Sequence, residues 1–377
     1  MKSLFYHLRL IRDFDWVLVV VVCLLTAMGL VSIYSVDISQ GSALIFFPTQ
    51  AFAFALGGLA LLIAGSIHLM VYQSSARLAY LGTVVLLIAV LIVGVTIRGT
   101  RGWFRIVGFS FQPSELAKVA VVLMLGWLIY RYGRRFDRWQ FVVASGIITV
   151  SLAGLILLQP DLGSALVVGS VWVGLLFLTG VKKRYLVLLF GTGVVAVIVA
   201  WMFLFAPYQK DRVRTFLEPG RDPLGAGYNV NQSIIAIGSG QLLGRGLGFG
   251  SQSQLHFLPE AQTDFIFAVI AEELGFVGVA ILFTLYSVLC VRLVQIATRA
   301  QSDFGAYVVL GVLLVFVVQA IVNIGGTVGL LPVTGVTLPF LSYGGSSLLV
   351  NFFMIGVVQS VYLGAFTAGS VRSVDFF

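Results

Sequence analysis

Charge is scarce in this chain. Asp, Glu, Lys and Arg make up 10% of the 377 residues and hydrophobic residues 59%, and no long stretch has the polar mixture of a water-soluble domain. That excludes a soluble globular enzyme and indicates an integral membrane protein. Cysteine is scarcer still: Cys23 and Cys290 are the only two, and both sit inside apolar runs, so neither a disulfide framework nor a zinc site is expected. The glycines between positions 238 and 250 contain no GxxxxGK(S/T) sequence, which excludes a phosphate loop for ATP. No nucleotide or organic cofactor and no nucleic-acid partner is expected. His256 is a lone loop histidine, a type more often bland than a ligand. No internal repeat is evident, and the inverted repeat of many transporters is not visible.

What the chain has instead is long apolar runs. At roughly 20 residues per crossing, they predict about ten membrane-spanning helices, at 16–36, 46–68, 78–98, 113–132, 139–158, 162–181, 185–206, 264–292, 305–326 and 344–367. The runs are continuous rather than alternating, so the expected fold class is all-α, a polytopic membrane protein forming a single transmembrane domain over 1–377. Lys2, Arg9 and Arg12 precede an apolar stretch longer than a cleavable signal's core, so the first run is read as a retained span. Basic residues favour the N-terminal side of this arrangement, which predicts that both termini are cytoplasmic. The one long connection, 207–263 between spans 7 and 8, is then extracytoplasmic, and a connection of that length in a compact bundle is usually functional. Within it, Ile234, Ile235 and Ile237 among Ser and Gly predict a short interfacial helix. The short outer segment 98–112 keeps basic residues that the charge rule disfavours there. An anionic group on the outer face explains them, as does headgroup anchoring.

Several acids lie in this apolar setting. A helix beginning near Thr263 aligns Asp264, Ala268, Ala271 and Gly275 on one small-residue face that admits another helix or a substrate. Near the outer end Asp264 stays hydrated and ionised, as a general base must; the alternative is a dipole partner or cap. Glu272 falls about 12 Å further along the same helix, where it must be paired or neutral, and for Glu272 and Glu273 structural pairing is favoured over catalysis. Gly275 and Gly278 permit a bend. In FQPSELAKVA, Pro113 and Glu115 suit a helix start, whereas Lys118, a charge inside an apolar run, is a functional candidate with Glu115 as its partner, snorkelling being the alternative. Asp161 in LLQPDLGSAL sits at a tight turn and can cap the following helix. Ser342, Ser346 and Ser347 in LPVTGVTLPFLSYGGSS offer hydroxyls or a cap. One carboxylate with several cations and Trp103 suits a lipid carrying phosphate. Glycoside hydrolysis generally needs two carboxylates, but a pyrophosphate leaving group needs only cations, so one base with a cationic cluster suffices for glycosyl transfer from a lipid pyrophosphate.

FLPEAQTDFIFAVIAEELG, FQPSELAK, QPDLGSAL, DPLGAGYNVNQSIIAIGSG and LPFLSYGGSS occur in that order, and together they resemble the SEDS family (shape, elongation, division, sporulation) over nearly the whole chain. GSQSQLHFLPEAQTDF and LPVTGV look more like its RodA branch than its FtsW branch. The resemblance implies a peptidoglycan glycosyltransferase of the bacterial cytoplasmic membrane. It would polymerise lipid II at the outer face with inversion and release of undecaprenyl pyrophosphate, for cell elongation and rod shape. Its implied partners are lipid II, the undecaprenyl pyrophosphate-linked glycan, membrane lipids and a class B penicillin-binding protein. By position, Asp264 matches the family's essential Asp, the expected base; Trp103 matches its outer-loop Trp, and Glu115 and Lys118 its polar pair. Gln159, Asp161, Gln209, Arg212, Gln232 and Ser233 match polar positions around the expected cavity. Arg101 stands one place before Gly102, where similar sequences often have a basic residue, and is carried over as a phosphate contact. A divalent cation, Mg or Mn, could bridge Asp264 and pyrophosphate. The rival readings are a lipid II flippase, which needs charges near the midplane, and a non-enzymatic scaffold for the penicillin-binding protein.

Overall fold

The computed structural model describes residues 13–372 apart from 40–43, 98, 107–108, 134–135, 137, 205–206 and 219–225. Among them, ten helices are long and apolar enough to cross a membrane. In chain order they are α1 (Trp16–Ser39), α2 (Phe46–Ser66), α3 (Leu69–Val93), α4 (Pro113–Tyr132), α5 (Trp139–Leu157), α6 (Leu162–Thr179), α7 (Lys183–Val199, with a π-helical turn Ala200–Leu204), α11 (Ile266–Arg299), α12 (Asp303–Thr327) and α13 (Gly345–Arg372). Three shorter helices, α8 (Pro207–Leu217), α9 (Ala226–Ser239) and α10 (Ser251–Gln254), lie in the long connection. The chain is a multi-pass, all-α membrane protein, and a small sheet is added to it: β1 (Val95–Ile97), β2 (Thr100–Ile106) and β3 (Phe109–Phe111) pair antiparallel in the order β1-β2-β3.

Eight of the ten expected spans lie within a few residues of their helices; the eighth, expected at 264–292, runs on to Arg299, and the third is displaced. It begins at Leu69 rather than 78, because Tyr72 and Ala76 are buried on the bundle side and His68 caps the helix by accepting from Met70 N. It ends before Gly94, where β-branched Val95, Thr96 and Ile97 pair with β2 instead of continuing the helix. Other ends carry their own signals. Asp161 Oδ1 accepts from Ser164 N at 2.9 Å at the start of α6, and Ser302 Oγ accepts from Gly305 N at 3.1 Å at the start of α12. Asp37, fully buried, accepts from Phe46 N and Phe47 N and so caps α2 from the end of α1.

In lipid the helices gain nothing by hiding oil from oil, so close packing and internal polar bonds hold the bundle. The α2–α13 contact shows this: a Cβ at Gly356 would stand 2.6 Å from both Leu61 O and Ala64 Cβ, so only glycine lets the two helices meet. At one end of the bundle Arg292 Nη2 lies 2.7 Å from Asp15 Oδ2, while Gln359 exchanges two hydrogen bonds with the Asp15 backbone. That network fastens the chain ahead of α1 to α11 and α13. At the opposite end, the starts of α4, α6, α11 and α13 come together with the end of α12, and there the polar motifs meet.

Candidate functional site at one end of the bundle

Asp264 lies two residues ahead of α11, in a turn whose peptide groups are anchored from both sides. Within the turn, Thr263 N and Asp264 N donate to Glu260 O at 3.0 and 3.2 Å. From α12, Asn323 Nδ2 and Thr327 Oγ1 donate to Asp264 O at 3.1 and 3.3 Å. From the loop ahead of α13, Ser342 Oγ donates to Thr263 O at 2.7 Å and Tyr343 N to Gln262 O at 2.8 Å. Gln50 of α2 secures that loop, donating to Ser342 O and accepting from Gly344 N. Glu260 and Phe340 take positive φ, 56° and 68°, a strained conformation for such residues that the surrounding contacts must enforce. The half-buried Asp264 side chain lines a narrow cleft with Asn323, Thr327 and residues 333–336. At Gly335 a Cβ would stand 4.0 Å from Asp264 Oδ2, so glycine leaves room beside the carboxylate.

The helix behind Asp264 is not the continuous one expected. Gly275 adopts φ 64°, ψ −163°, and splits α11 into 266–274 and 276–299. The second part alone, at about 1.5 Å per residue, reaches about 36 Å, more than the roughly 30 Å of a hydrocarbon core. It is therefore long enough to cross by itself, and the first part is a buried half-helix at the end that holds Asp264. The strap 240–246 closes the break. Arg245 N and Gly246 N donate to Glu272 O and Glu273 O, both at 3.0 Å, while Phe276 N and Val277 N donate to Gln241 O and Leu242 O at 2.9 and 3.1 Å. Four of the backbone groups freed at the break thus find partners, as burial requires. The glycines of the strap make the approach possible: a Cβ would fall 1.9 Å from Ala271 O at Gly240 and 2.1 Å from Glu273 O at Gly244. The small-residue face thus receives α9 and the strap, with Ala236, Ala268 and Val269 in one apolar cluster.

Glu272 and Glu273 are buried by protein around this clamp. Glu272 accepts from Gln252 N and Ser253 N at 2.9 and 3.2 Å and caps α10. Glu273 Oε1 accepts from Ser35 Oγ at 2.5 Å, and Gly248 N and the Gln254 side chain also donate to Ser35 Oγ. The pairing expected from the sequence is present for both oxygens of Glu272 and for Oε1 of Glu273.

A second polar group lies beside the first. Lys118 Nζ meets Glu115 Oε2 at 2.7 Å, both side chains nearly fully buried at the start of α4. Asp161 Oδ2 accepts from Gln112 Nε2 and Ser114 Oγ at 3.1 and 3.2 Å, so its capping carboxylate also joins α6 to α4. Ser346 accepts from Gln112 N and donates to Ser110 O, fastening α13 to β3. The loop containing Thr334 and Val336 packs on Gly163, next to Asp161, and its Gly335 borders Asp264, so it bridges the two groups. Gln159, fully buried, donates to Leu87 O, and a Cβ at Gly102 would stand 3.1 Å from its Oε1. That close approach is a physical reason for glycine where a basic residue was expected. Arg101 reaches back to Ile92 O and Gly94 O at 2.8 and 3.2 Å, where it closes the end of α3. Trp103 is half-buried on β2.

In the long connection, the predicted interfacial helix is α9, with Ile234 and Ile235 exposed, Gln232 half-buried, and Ser233 Oγ inside at 2.5 Å from Thr327 O. The hydroxyls of Ser233 and Ser342 are engaged internally and hold the Asp264 surroundings in place. The side chains of Gln209 and Arg212 lie outside the described residues. Sequence reasoning passed over Gln50, Gln112, Asn323 and Thr327; the available signal was an amide or hydroxyl inside or at the edge of an apolar run. Among the described residues, no three His, Cys, Asp or Glu side chains converge as a metal-ligand set.

Comparison with known proteins identifies the family. The profile of the FtsW/RodA/SpoVE family, described as cell cycle protein, matches residues 15–364. "Probable peptidoglycan glycosyltransferase FtsW" of Trichlorobacter lovleyi is 36% identical over 366 residues, 94% of each chain. "Peptidoglycan glycosyltransferase MrdB" of Escherichia coli is 43% identical over 314 residues, 82% of this chain and 83% of that one. A solved chain from a peptidoglycan synthase complex superposes with a TM-score of 0.79 at 34% identity, covering 94% of this chain and 98% of its own. This chain belongs to the FtsW/RodA/SpoVE family, the SEDS family of polytopic membrane proteins.

Proposed function

We propose that this chain is a peptidoglycan glycosyltransferase that polymerises lipid II at the outer face of the bacterial cytoplasmic membrane. The observation that carries the reading is the placement of Asp264: a half-buried carboxylate beside Gly335, in a turn whose peptide groups are held by Asn323, Thr327 and Ser342. Such anchoring suits a base that must meet one hydroxyl in one geometry. Asp264 takes the proton of the acceptor sugar's 4-hydroxyl as that oxygen bonds to the donor's anomeric carbon. The bond from that carbon to the pyrophosphate oxygen breaks, the anomer inverts, and undecaprenyl pyrophosphate leaves with the electron pair. The proton then passes from Asp264 to water. Arg101 is exposed and carries more N–H donors than the α3 carbonyls use, so it can face the leaving group's charge, whereas Lys118 is buried against Glu115 and supports the site from within.

The names of the relatives support the reaction, and the solved synthase complex supports a class B penicillin-binding protein as partner. Both termini are assigned to the cytoplasm and the Asp264 end to the outside by the distribution of Lys and Arg. A role in elongation rests on the RodA-like stretches around Asp264; relatives of the FtsW branch match over as much of the chain. If a divalent cation binds Asp264, pyrophosphate oxygens and water would supply much of its ligand set, since among the described residues no three His, Cys, Asp or Glu side chains converge.

The test is glycan formation from purified lipid II, with and without a cognate class B penicillin-binding protein and with Mg or Mn titrated, comparing wild type with Asp264→Asn. The expected result is polymer from wild type and none from the folded variant at any cation concentration. Equal polymer from both removes Asp264 as the base. No polymer from wild type in any condition, with lipid II crossing liposomes that hold the protein, transfers the assignment to a flippase.

A further inference from the structure

At the bundle end opposite Asp264, two arginines from different helices converge on one indole. The Arg77 guanidinium of α3 lies 5.0 Å from the centre of the Trp127 ring of α4, and that of Arg131, one helical turn after Trp127, lies 5.3 Å from it. The two cations are therefore within about 10 Å of each other, a separation at which like charges repel through a thin headgroup layer. Both are exposed, and neither meets a carboxylate among the described residues. Indole binding orients them but neutralises nothing. Arg138 and a largely exposed Trp139 begin α5 close by in sequence. On the membrane side, Leu78, Leu81 and Val85 of α3 are 72%, 57% and 64% exposed, so an apolar track starts beside the arginines.

We propose that Arg77, Arg131 and Trp127 form a binding site for an anionic phospholipid. Its phosphate lies on the guanidinium pair, and an acyl chain runs along Leu78, Leu81 and Val85. Arg77 sits about two turns into α3, so its long side chain spans the change from hydrocarbon to headgroup that such a lipid also spans. A bound phosphate supplies a counter-charge that the described residues do not.

The test is native mass spectrometry of the full chain released from mixed phosphatidylcholine–phosphatidylglycerol nanodiscs, with thermal stability measured in parallel. Phosphatidylglycerol adducts of wild type should exceed those of Arg77→Gln and of Arg131→Gln by roughly fivefold each, the effect of one basic residue at an anionic surface. Phosphatidylcholine adducts and melting should not change. Arg299→Gln, a basic residue at the end of α11 on the same side, should keep the wild-type adducts. Equal enrichment in the Arg77 and Arg131 variants overturns the site, and an equal loss in Arg299→Gln reduces it to diffuse surface charge. Inorganic phosphate that competes as strongly, mole for mole, as phosphatidylglycerol would show that the acyl track contributes nothing, and would overturn the lipid assignment in favour of a phosphate-ion site.

Discussion

Gly275→Ala is the sharpest perturbation of the scaffold behind Asp264, because one methyl group acts on both conformation and packing. The backbone at φ 64°, ψ −163° is in a region open essentially only to glycine, and an alanine held there costs about 1–3 kcal/mol. Its Cβ would also stand 2.2 Å from Gly244 N and 2.7 Å from Leu242 O, backbone atoms that cannot swing aside. Overpacking of that kind costs a further 1–3 kcal/mol or so. The alternative is to release the strap. That gives up the four hydrogen bonds from Arg245, Gly246, Phe276 and Val277, at about 1 kcal/mol net each, and leaves buried groups unpaired. Either route costs about 2–6 kcal/mol, a large share of the roughly 5–15 kcal/mol that holds a domain together. Melting in detergent should fall by many degrees. Glycan polymerisation should fall further, by about a hundredfold if the turn that carries Asp264 shifts by roughly 1 Å. Gly58→Ala in α2 is the control: nothing lies within 4 Å of its Cβ, and it should gain about 0.5–1 kcal/mol. A Gly275→Ala protein with wild-type melting and wild-type polymer would refute the clamp.

Two further outcomes follow from the polar groups. Glu272→Gln weakens the charge-assisted cap on Gln252 N and Ser253 N, so hydrogen exchange at those two amides should quicken by about one to two orders of magnitude, the equivalent of 1.5–3 kcal/mol; protection equal to wild type would show the carboxylate is not the cap. Lys118→Met leaves Glu115 buried without its cation, at a cost of about 3–5 kcal/mol, and the double change with Glu115→Met should recover most of the melting temperature but none of the polymerisation. Recovery of both would reduce the pair to a structural role.

Much of this protein was readable from hydropathy, because lipid forces each span to be one long run with its backbone bonds internal. The eight helices that matched their runs follow from that, as do the cap at Asp161 and the i,i+3 pairing of Glu115 with Lys118, which are local events. The end of α3 was misplaced because Val95, Thr96 and Ile97 are as apolar as a helix interior. Their strand conformation depends on β2 being alongside, and hydropathy carries no information on that.

The sequence by itself determined the class of protein, the number of crossings and the identity of the acids. Composition and run length respond directly to the solvent a segment occupies. Only the tertiary structure decided what each acid does. Glu272 and Glu273 stand eight and nine positions after Asp264 on one apolar run, yet two are consumed in a clamp and one lines the cleft. The difference lies in the break at Gly275, in glycines 240 and 244 that let the strap reach it, and in Asn323, Thr327 and Ser342 closing on the turn. Those contacts join segments far apart in the chain, and a side chain's role at such a junction depends on which backbone groups the partner segment brings within bonding distance.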